Sequence, residues 1–260
     1  MSRKYTRTVN IAIVIFLMVL LVGCSHNSDT WQKVQDTGTL LVGLDPTYPP
    51  FESFDGENLS GFDVDLAYAI GKDLGVEIQF VHFGYDGLYD ALLTEQADVL
   101  ISALVIIPEK TKDFAYSEPY FNAGEVLVVP QGETEISDME SLNGRSLAVE
   151  LGAQGHVLAT EWERKLDNLT ILPFNTPDAA LTAVLENKAH AAIIDNISSS
   201  LFLKTYPELT AIAPPLTVEP FAIVVRAEDN QLLSHLNKSL NNLQNTNNLT
   251  EIHDKWFAEN

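Results

Sequence analysis

Cysteine occurs once in the 260 residues, at position 24, and basic side chains are scarce: 15 Lys and Arg stand against 36 Asp and Glu, a formal charge of −21. A single cysteine excludes an intramolecular disulfide and a thiolate metal cluster. The shortage of positive charge argues against a nucleic-acid partner, because phosphate binding needs a basic surface that displaces counterions. There is no Gly-x-Ser-x-Gly elbow, no His-Glu-x-x-His helix and no Walker loop, and the six histidines lack metal-ligand spacing. These absences leave no cofactor and no metal to expect. What is plentiful is apolar material, 46% of the chain, enough to offset the entropy of ordering and to exclude disorder. The length suits one large domain or two of roughly 100 residues each.

The few cations are unevenly placed. Arg3, Lys4 and Arg7 precede an apolar run over residues 11–22, and no acid occurs in the first 23 residues. That run has the length of a secretory h-region and is too short to span a bilayer comfortably. It ends at Gly23-Cys24, and a small residue before Cys at the end of such a leader resembles a bacterial lipoprotein signal. The expectation is a signal peptide over 1–23, lipidation of Cys24, and a tether over 24–37 holding the rest outside the cytoplasm at a membrane surface. The alternative is a plain secretory leader with an incidental cysteine. Removal of the leader leaves 12 basic and 36 acidic residues over 237 positions, a charge of −24.

Beyond the tether, strand and helix patterns alternate, which predicts an α/β fold with largely parallel sheets. Residues 40–44 read as a buried strand. Leu66, Ile70 and Leu74 recur at i, i+4 on a helix opened by Gly61-Phe62-Asp63 and stopped by Gly75. Residues 76–81 alternate as a strand, 86–95 read as a helix, and 99–102 as a buried strand. A second set follows: strand 146–149, helix 155–165, helix 177–187 entered at Pro177, and strand 191–194. Residues 91–101 and 183–193 repeat one helix, loop and strand pattern at an offset of 92. The echo predicts two similar lobes, although helix-then-strand units resemble one another by chance. Apolar segments at 124–130 and 216–225 read as crossovers between them. Ligands of open α/β sheets bind beyond the carboxyl ends of strands, so an interlobe cleft would be lined by Asp45, Ser102 with Ala103, residues 150–154 and Asp195.

Several motifs then carry a family resemblance. They are Gly43-Leu44-Asp45-Pro46-Thr47-Tyr48-Pro49-Pro50-Phe51, Gly61-Phe62-Asp63-Val64-Asp65-Leu66, Tyr85-Asp86-Gly87-Leu88, Phe114-Ala115-Tyr116-Ser117-Glu118-Pro119-Tyr120 and Lys255-Trp256-Phe257. In order and spacing they resemble the family 3 extracytoplasmic solute-binding proteins that serve amino-acid ABC transporters. The resemblance implies a two-lobed type II periplasmic-binding-protein fold with an interlobe ligand cleft. Its expected divisions are lobe 1 over 38–127, lobe 2 over 128–218 and a return to lobe 1 over 219–260. It also implies a monomer that captures a polar amino acid or related small ligand, closes, and delivers it to a permease.

The resemblance further assigns a site. Asp45 and Tyr48 match positions at the mouth of the first lobe, with a turn-forming Asp before Pro as the other account of Asp45. Tyr85 matches an aromatic that stacks on the ligand, against ordinary core packing. Asp195 matches the carboxylate that holds an α-ammonium group, against a helix N-cap. At the ligand-carboxylate end the chain departs from the family. Val105 stands where a small hydroxyl residue is usual and Lys110 where Arg is usual, so a bidentate grip becomes at most a point charge. Gln154 replaces a hydroxyl in the turn after Glu150. Glu150 sits where side-chain selectivity varies and would favour a cationic group, with Tyr48 and Tyr85 offering cation–π faces; the alternative is a surface Glu in a very acidic chain.

Two other functions share this fold. Cyclohexadienyl dehydratases look like such proteins with an added acid, which aligns with His156 here, supported by Lys110. A sensory module would present its ligand to a separate membrane receptor instead of a permease.

Overall fold

The structure is a computed structural model that describes residues 30–257. The expected leader, the lipidation site Cys24 and the tether up to residue 29 lie outside the described residues. The described chain opens with α1 (Thr30–Thr37) and β1 (Thr39–Leu44), then a small antiparallel meander of β2 (Thr47–Tyr48), β3 (Glu52–Phe54) and β4 (Leu59–Ser60). α2 (Phe62–Leu74), β5 (Glu77–His82), α3 (Leu88–Leu93), β6 (Val99–Leu100), β7 (Phe114–Tyr116) and β8 (Phe121–Asn122) complete the first pass. The second pass holds β9 (Glu125–Pro130), β10 (Ser146–Glu150), α4 (Gln154–Glu163), β11 (Thr170–Phe174), α5 (Pro177–Leu185), β12 (Ala191–Asp195), α6 (Asn196–Phe202) and β13 (Leu209–Ile212). The chain returns through β14 (Pro220–Phe221) and β15 (Val224–Arg226) to α7 (Asn230–Asn245) and α8 (Asn248–Phe257).

Two five-stranded sheets result, ordered β5-β1-β6-β15-β7 and β11-β10-β12-β9-β13. In each, two parallel pairings are followed by two antiparallel ones, so the fourth strand alone runs opposite to the others. The two sheets therefore share one topology, and the echoed segments ending in β6 and β12 occupy the same third position. Both central parallel strands are nearly continuous apolar runs because helices cover both faces: Leu147, Ala148 and Val149 in β10 are fully buried, as are Leu40, Val42 and Leu44 in β1. α2 ends where Gly75 adopts φ 72°, its amide bonding back to the Gly71 carbonyl.

Two expected boundaries move. β9 belongs to the second sheet along its whole length, pairing with both β12 and β13, so the outward crossing falls at residues 123–124 and not at 127–128. Residues 30–37 are a helix packed on the first lobe and not part of a tether. Trp31 and Val34 are buried, and the Trp31 ring stacks on His235 at 4.0 Å. Beneath them Arg226 Nε pairs with Asp229 Oδ2 at 2.9 Å, Arg226 Nη2 donates to Thr30 Oγ1 at 2.6 Å, and the Thr30 amide donates to Asp229 Oδ1 at 3.1 Å. Two further differences are local. The helix expected at 86–95 begins as a 3-10 turn at Tyr85–Gly87, and the expected strand over 216–225 divides into β14 and β15.

The Arg226–Asp229 pair is almost wholly buried, so removing one partner strands the other charge. Arg226→Ala is expected to lower unfolding stability by about 3–5 kcal/mol, read from urea denaturation, with part of the loss recovered when Asp229→Ala is added.

Candidate functional site

The carboxyl ends of β1, β6 and β12 open on a cleft of about 470 Å³ between the lobes, beside the crossing strands. Seven of the expected residues line it: Asp45, Tyr48, Tyr85, Ser102, Ala103, Val105 and Asp195. Glu52, Thr47, Glu219, Ala123, Ile197 and Phe221 line it as well and were not anticipated. Lys110, Glu150 and Gln154 do not line it.

Asp45 follows the last residue of β1 and is both a turn former and a cleft residue. Its Oδ1 accepts from Thr47 Oγ1 at 2.9 Å and its Oδ2 from the Tyr85 amide at 2.9 Å, which fixes the Tyr85 turn against the mouth of the first lobe. Tyr48 and Tyr85 are 46% and 55% exposed, so neither is a core residue. The Asp45 amide donates to Ser102 Oγ at 3.0 Å, and that hydroxyl donates to Glu52 Oε1 at 2.7 Å. Ala103 takes a positive φ of 46° and aims its amide at Asp63 Oδ2, 2.6 Å away. Tyr120 donates its hydroxyl to the same oxygen at 3.0 Å. Below lies an aromatic cluster in which Phe51 meets Phe121, Phe221 and Phe257 at ring distances of 5.0–5.5 Å.

On the second lobe Asp195 is also two things at once. It caps α6, Oδ1 accepting from the Ser198 amide at 2.8 Å, and it borders the cleft. The unassembled candidates have local reasons. Lys110 ends a 3-10 turn and holds its ammonium over the Tyr89 ring, 4.2 Å from the centroid. Gln154 is the exposed first residue of α4, and Glu150 ends β10 beyond the lining. His156 accepts the Gly152 amide at Nδ1, 3.1 Å, and borders a separate shallow depression with Val157 and Arg164. Among the described residues no group of histidine, cysteine and carboxylate side chains is arranged to hold a metal ion.

Residues 40–259 match the family model of the bacterial extracellular solute-binding proteins, family 3. The chain belongs to this family. It is 25% identical to the arginine-binding extracellular protein ArtP of Bacillus subtilis over 98% of both chains. It is 29% identical to the L-cystine-binding protein TcyJ of Escherichia coli over 87% of this chain and 85% of the relative. Among solved structures, an ancestral cationic amino acid solute-binding protein superposes with a TM-score of 0.65 at 30% identity, covering 88% of this chain and 99% of that one. The fold is the two-lobed type II periplasmic-binding-protein fold. In this family 3 protein no helix among the described residues is long and apolar enough to cross a membrane.

The family fold brings acids together at the cleft. Glu125 lies directly across from Asp195 in the antiparallel β9–β12 pairing, an arrangement that like charges disfavour. Burial first, then the charges of Asp195 and Glu219, push the Glu125 carboxyl up to about 7, with Glu150 adding to the same field. α4 approaches this carboxyl so closely that a Cβ on Gly155 would lie 2.8 Å from Glu125 Oε2. On the first lobe Glu52 and Asp63 are buried, and burial is the main cause that raises both above the ordinary carboxylate range. Glu52 Oε2 and Asp63 Oδ1 have no hydrogen-bond partner in the structure, and the charge of Asp63 adds to burial in raising Glu52, so two such carboxyls are best accommodated with a proton held between them. Burial, then Asp195, Glu52 and Glu219, also raise the Tyr48 phenol, so the acidic field spans the cleft.

The lobes join where β8 pairs with β14. The Ala123 amide donates to the Glu219 carbonyl at 2.9 Å, and Asn122 Oδ1 accepts from the Gly124 and Glu219 amides at 3.1 and 2.7 Å. The two segments touch so tightly that a Cβ on Gly124 would lie 2.0 Å from the Thr217 carbonyl oxygen.

Carboxyls whose folded pKa is raised stabilise the fold fully only below their unfolded value of 4.5. That contribution is lost as pH rises through the folded values, because the unfolded chain then releases protons that the folded chain keeps. The ligand-free protein is therefore expected to melt at progressively lower temperature from pH 5 to pH 8. Glu52→Gln keeps an acceptor for Ser102 and supplies a permanent donor toward Asp63, so its melting temperature should fall less over the same range. Parallel pH profiles for the two proteins would refute the shared proton.

Proposed function

We propose that this chain is an extracytoplasmic receptor that captures a small cationic solute, a basic amino acid or a related amine, between its lobes and delivers it to an ABC importer. The observation that carries the reading is the composition of the cleft wall: Asp45, Glu52, Asp195 and Glu219 line it, and among the described residues no Lys, Arg or His does. A cation provides the donors and the positive charge that such a wall lacks. Asp195 commits one oxygen to the helix cap and has the other for a ligand. Tyr48 and Tyr85, exposed at the mouth, supply aromatic faces suited to an ammonium or guanidinium group. The relatives named for arginine and for cationic amino acids favour the same reading.

The mechanism follows from where the acids sit. Asp45 belongs to the first lobe and Asp195 to the second, so the empty cleft has like charge on both walls. A cation between them replaces repulsion by attraction and binds the closed arrangement better than the open one, which is what shifts the population to closed. The paired crossings at 122–124 and 217–219 act as the hinge, and the closed form is what a permease would recognise.

Several finer features go with this reading. Residues 1–23 act as a lipoprotein signal, Cys24 carries the lipid anchor, and the receptor works as a monomer at the outer face of a bacterial membrane. The dehydratase alternative needs His156 and Lys110 at the cleft, and neither lines it. Delivery to a separate sensory receptor has no observation in its favour over delivery to a permease.

Calorimetric titration of the purified protein with cationic, neutral and acidic amino acids and simple amines tests the proposal. Heat is expected with cationic compounds, and Asp195→Asn should weaken the tightest of them at least tenfold, about 1.4 kcal/mol. Clear binding of neutral amino acids with none of the cations would remove it.

A further inference from the structure

The acidic lining raises a second question: where a carboxylate on the ligand would go. A bound carboxylate needs hydrogen-bond donors or a cation, and an unpaired one taken out of water is costly. Most donors around this cleft are already engaged by the protein's own acids, and among the lining side chains only the Tyr48 and Tyr85 hydroxyls remain, both in the acidic field at the mouth. The Thr47 hydroxyl and the Tyr85 amide donate to Asp45, the Ser102 hydroxyl donates to Glu52, and the Ala103 amide donates to Asp63.

The positions that could replace them offer little. Val105 has no polar side chain, and its backbone is bridged to Phe221. Lys110 is outside the lining and sits on the Tyr89 ring. On the second lobe the turn after β10 is likewise closed, since the Gly152 amide donates to His156 Nδ1 and the Ala153 amide to the Glu150 carbonyl. A ligand carboxylate would also enter the field of Asp45, Asp195 and Glu219 with no countercharge beside it.

We infer that the ligand is an organic cation without a carboxylate: an alkyl amine, diamine or guanidine of the size left when a basic amino acid loses its carboxyl group. The inference rests on the proposed capture of a cation and narrows it to one chemical class. Acids on both walls suit a compound with a positive group toward each lobe, Asp45 facing one end and Asp195 the other. The cleft volume of about 470 Å³ leaves room for a short chain between them.

Matched pairs that differ by the carboxyl group give the test: putrescine against ornithine, cadaverine against lysine, and agmatine against arginine, each titrated calorimetrically into the purified full chain at pH 7. The expected result is that in at least one pair the decarboxylated member binds tenfold or more tightly than its parent. Lysine methyl ester, whose carboxyl carries no charge, should then bind more tightly than lysine. If the amino acid binds as tightly as its amine in every pair, or more tightly, this inference falls while capture of a cation stands. If neutral or acidic amino acids bind and all six cations fail, both fall.

Discussion

Like charge converging on one small space is the constraint around which the structure is arranged. Asp45, Glu52, Asp195 and Glu219 border the same cleft, with Glu125 directly across from Asp195 on the neighbouring strand. Each acid is accommodated differently. Asp45 is held by two donors from its own lobe, and Asp195 by the first turn of α6. Glu52 is buried between Ser102 and Asp63 with its carboxyl raised above the ordinary range, and Glu219 stays in contact with solvent in the irregular crossing. None of these devices brings a basic side chain to the wall, so the field is left for a ligand to balance.

The duplicated topology explains why the acids meet. Both sheets use the same strand order, and in both the third strand ends at the cleft, at Ser102 after β6 and at Asp195 closing β12. Two short crossings tie the lobes together through Asn122, Gly124 and Thr217, closely enough that no side chain fits at position 124. A pair of lobes on such a joint can approach or part while each core stays intact, because the fully buried residues of the cluster around Phe51 and of that around Ala148 and Leu181 keep to separate lobes, with the half-buried Ile197 of α6 packing across onto the first.

Much of this was legible in the chain itself. β1, β10 and β12 announce themselves as short apolar runs, α2 as an i, i+4 pattern closed by Gly75, and Asp45, Ser102, Ala103 and Asp195 as residues just past strand ends. Other parts depend on contacts far apart in sequence. α1 has only Trp31 and Val34 as buried apolar side chains and reads as polar tether, and what holds it is Arg226 and Asp229, nearly 200 residues away. Glu52 lies one residue after Phe51, and its burial follows from Ser102 and Asp63, which only the fold brings to it. Glu219 sits in an irregular crossing with no periodicity to read. Lys110, Glu150 and Gln154 are neighbours of the cleft in alignment, yet the ring of Tyr89, the end of β10 and the start of α4 keep their side chains out of the lining.

A crystal structure of the protein with its tightest-binding cation is the most direct measurement of the central claim. The lobes should be closed on the compound, with its positive group within hydrogen-bonding distance of Asp195 and its body against Tyr48 and Tyr85. A ligand bound with a carboxylate paired to Lys110, or seated away from Asp45, Glu52 and Asp195, would contradict it.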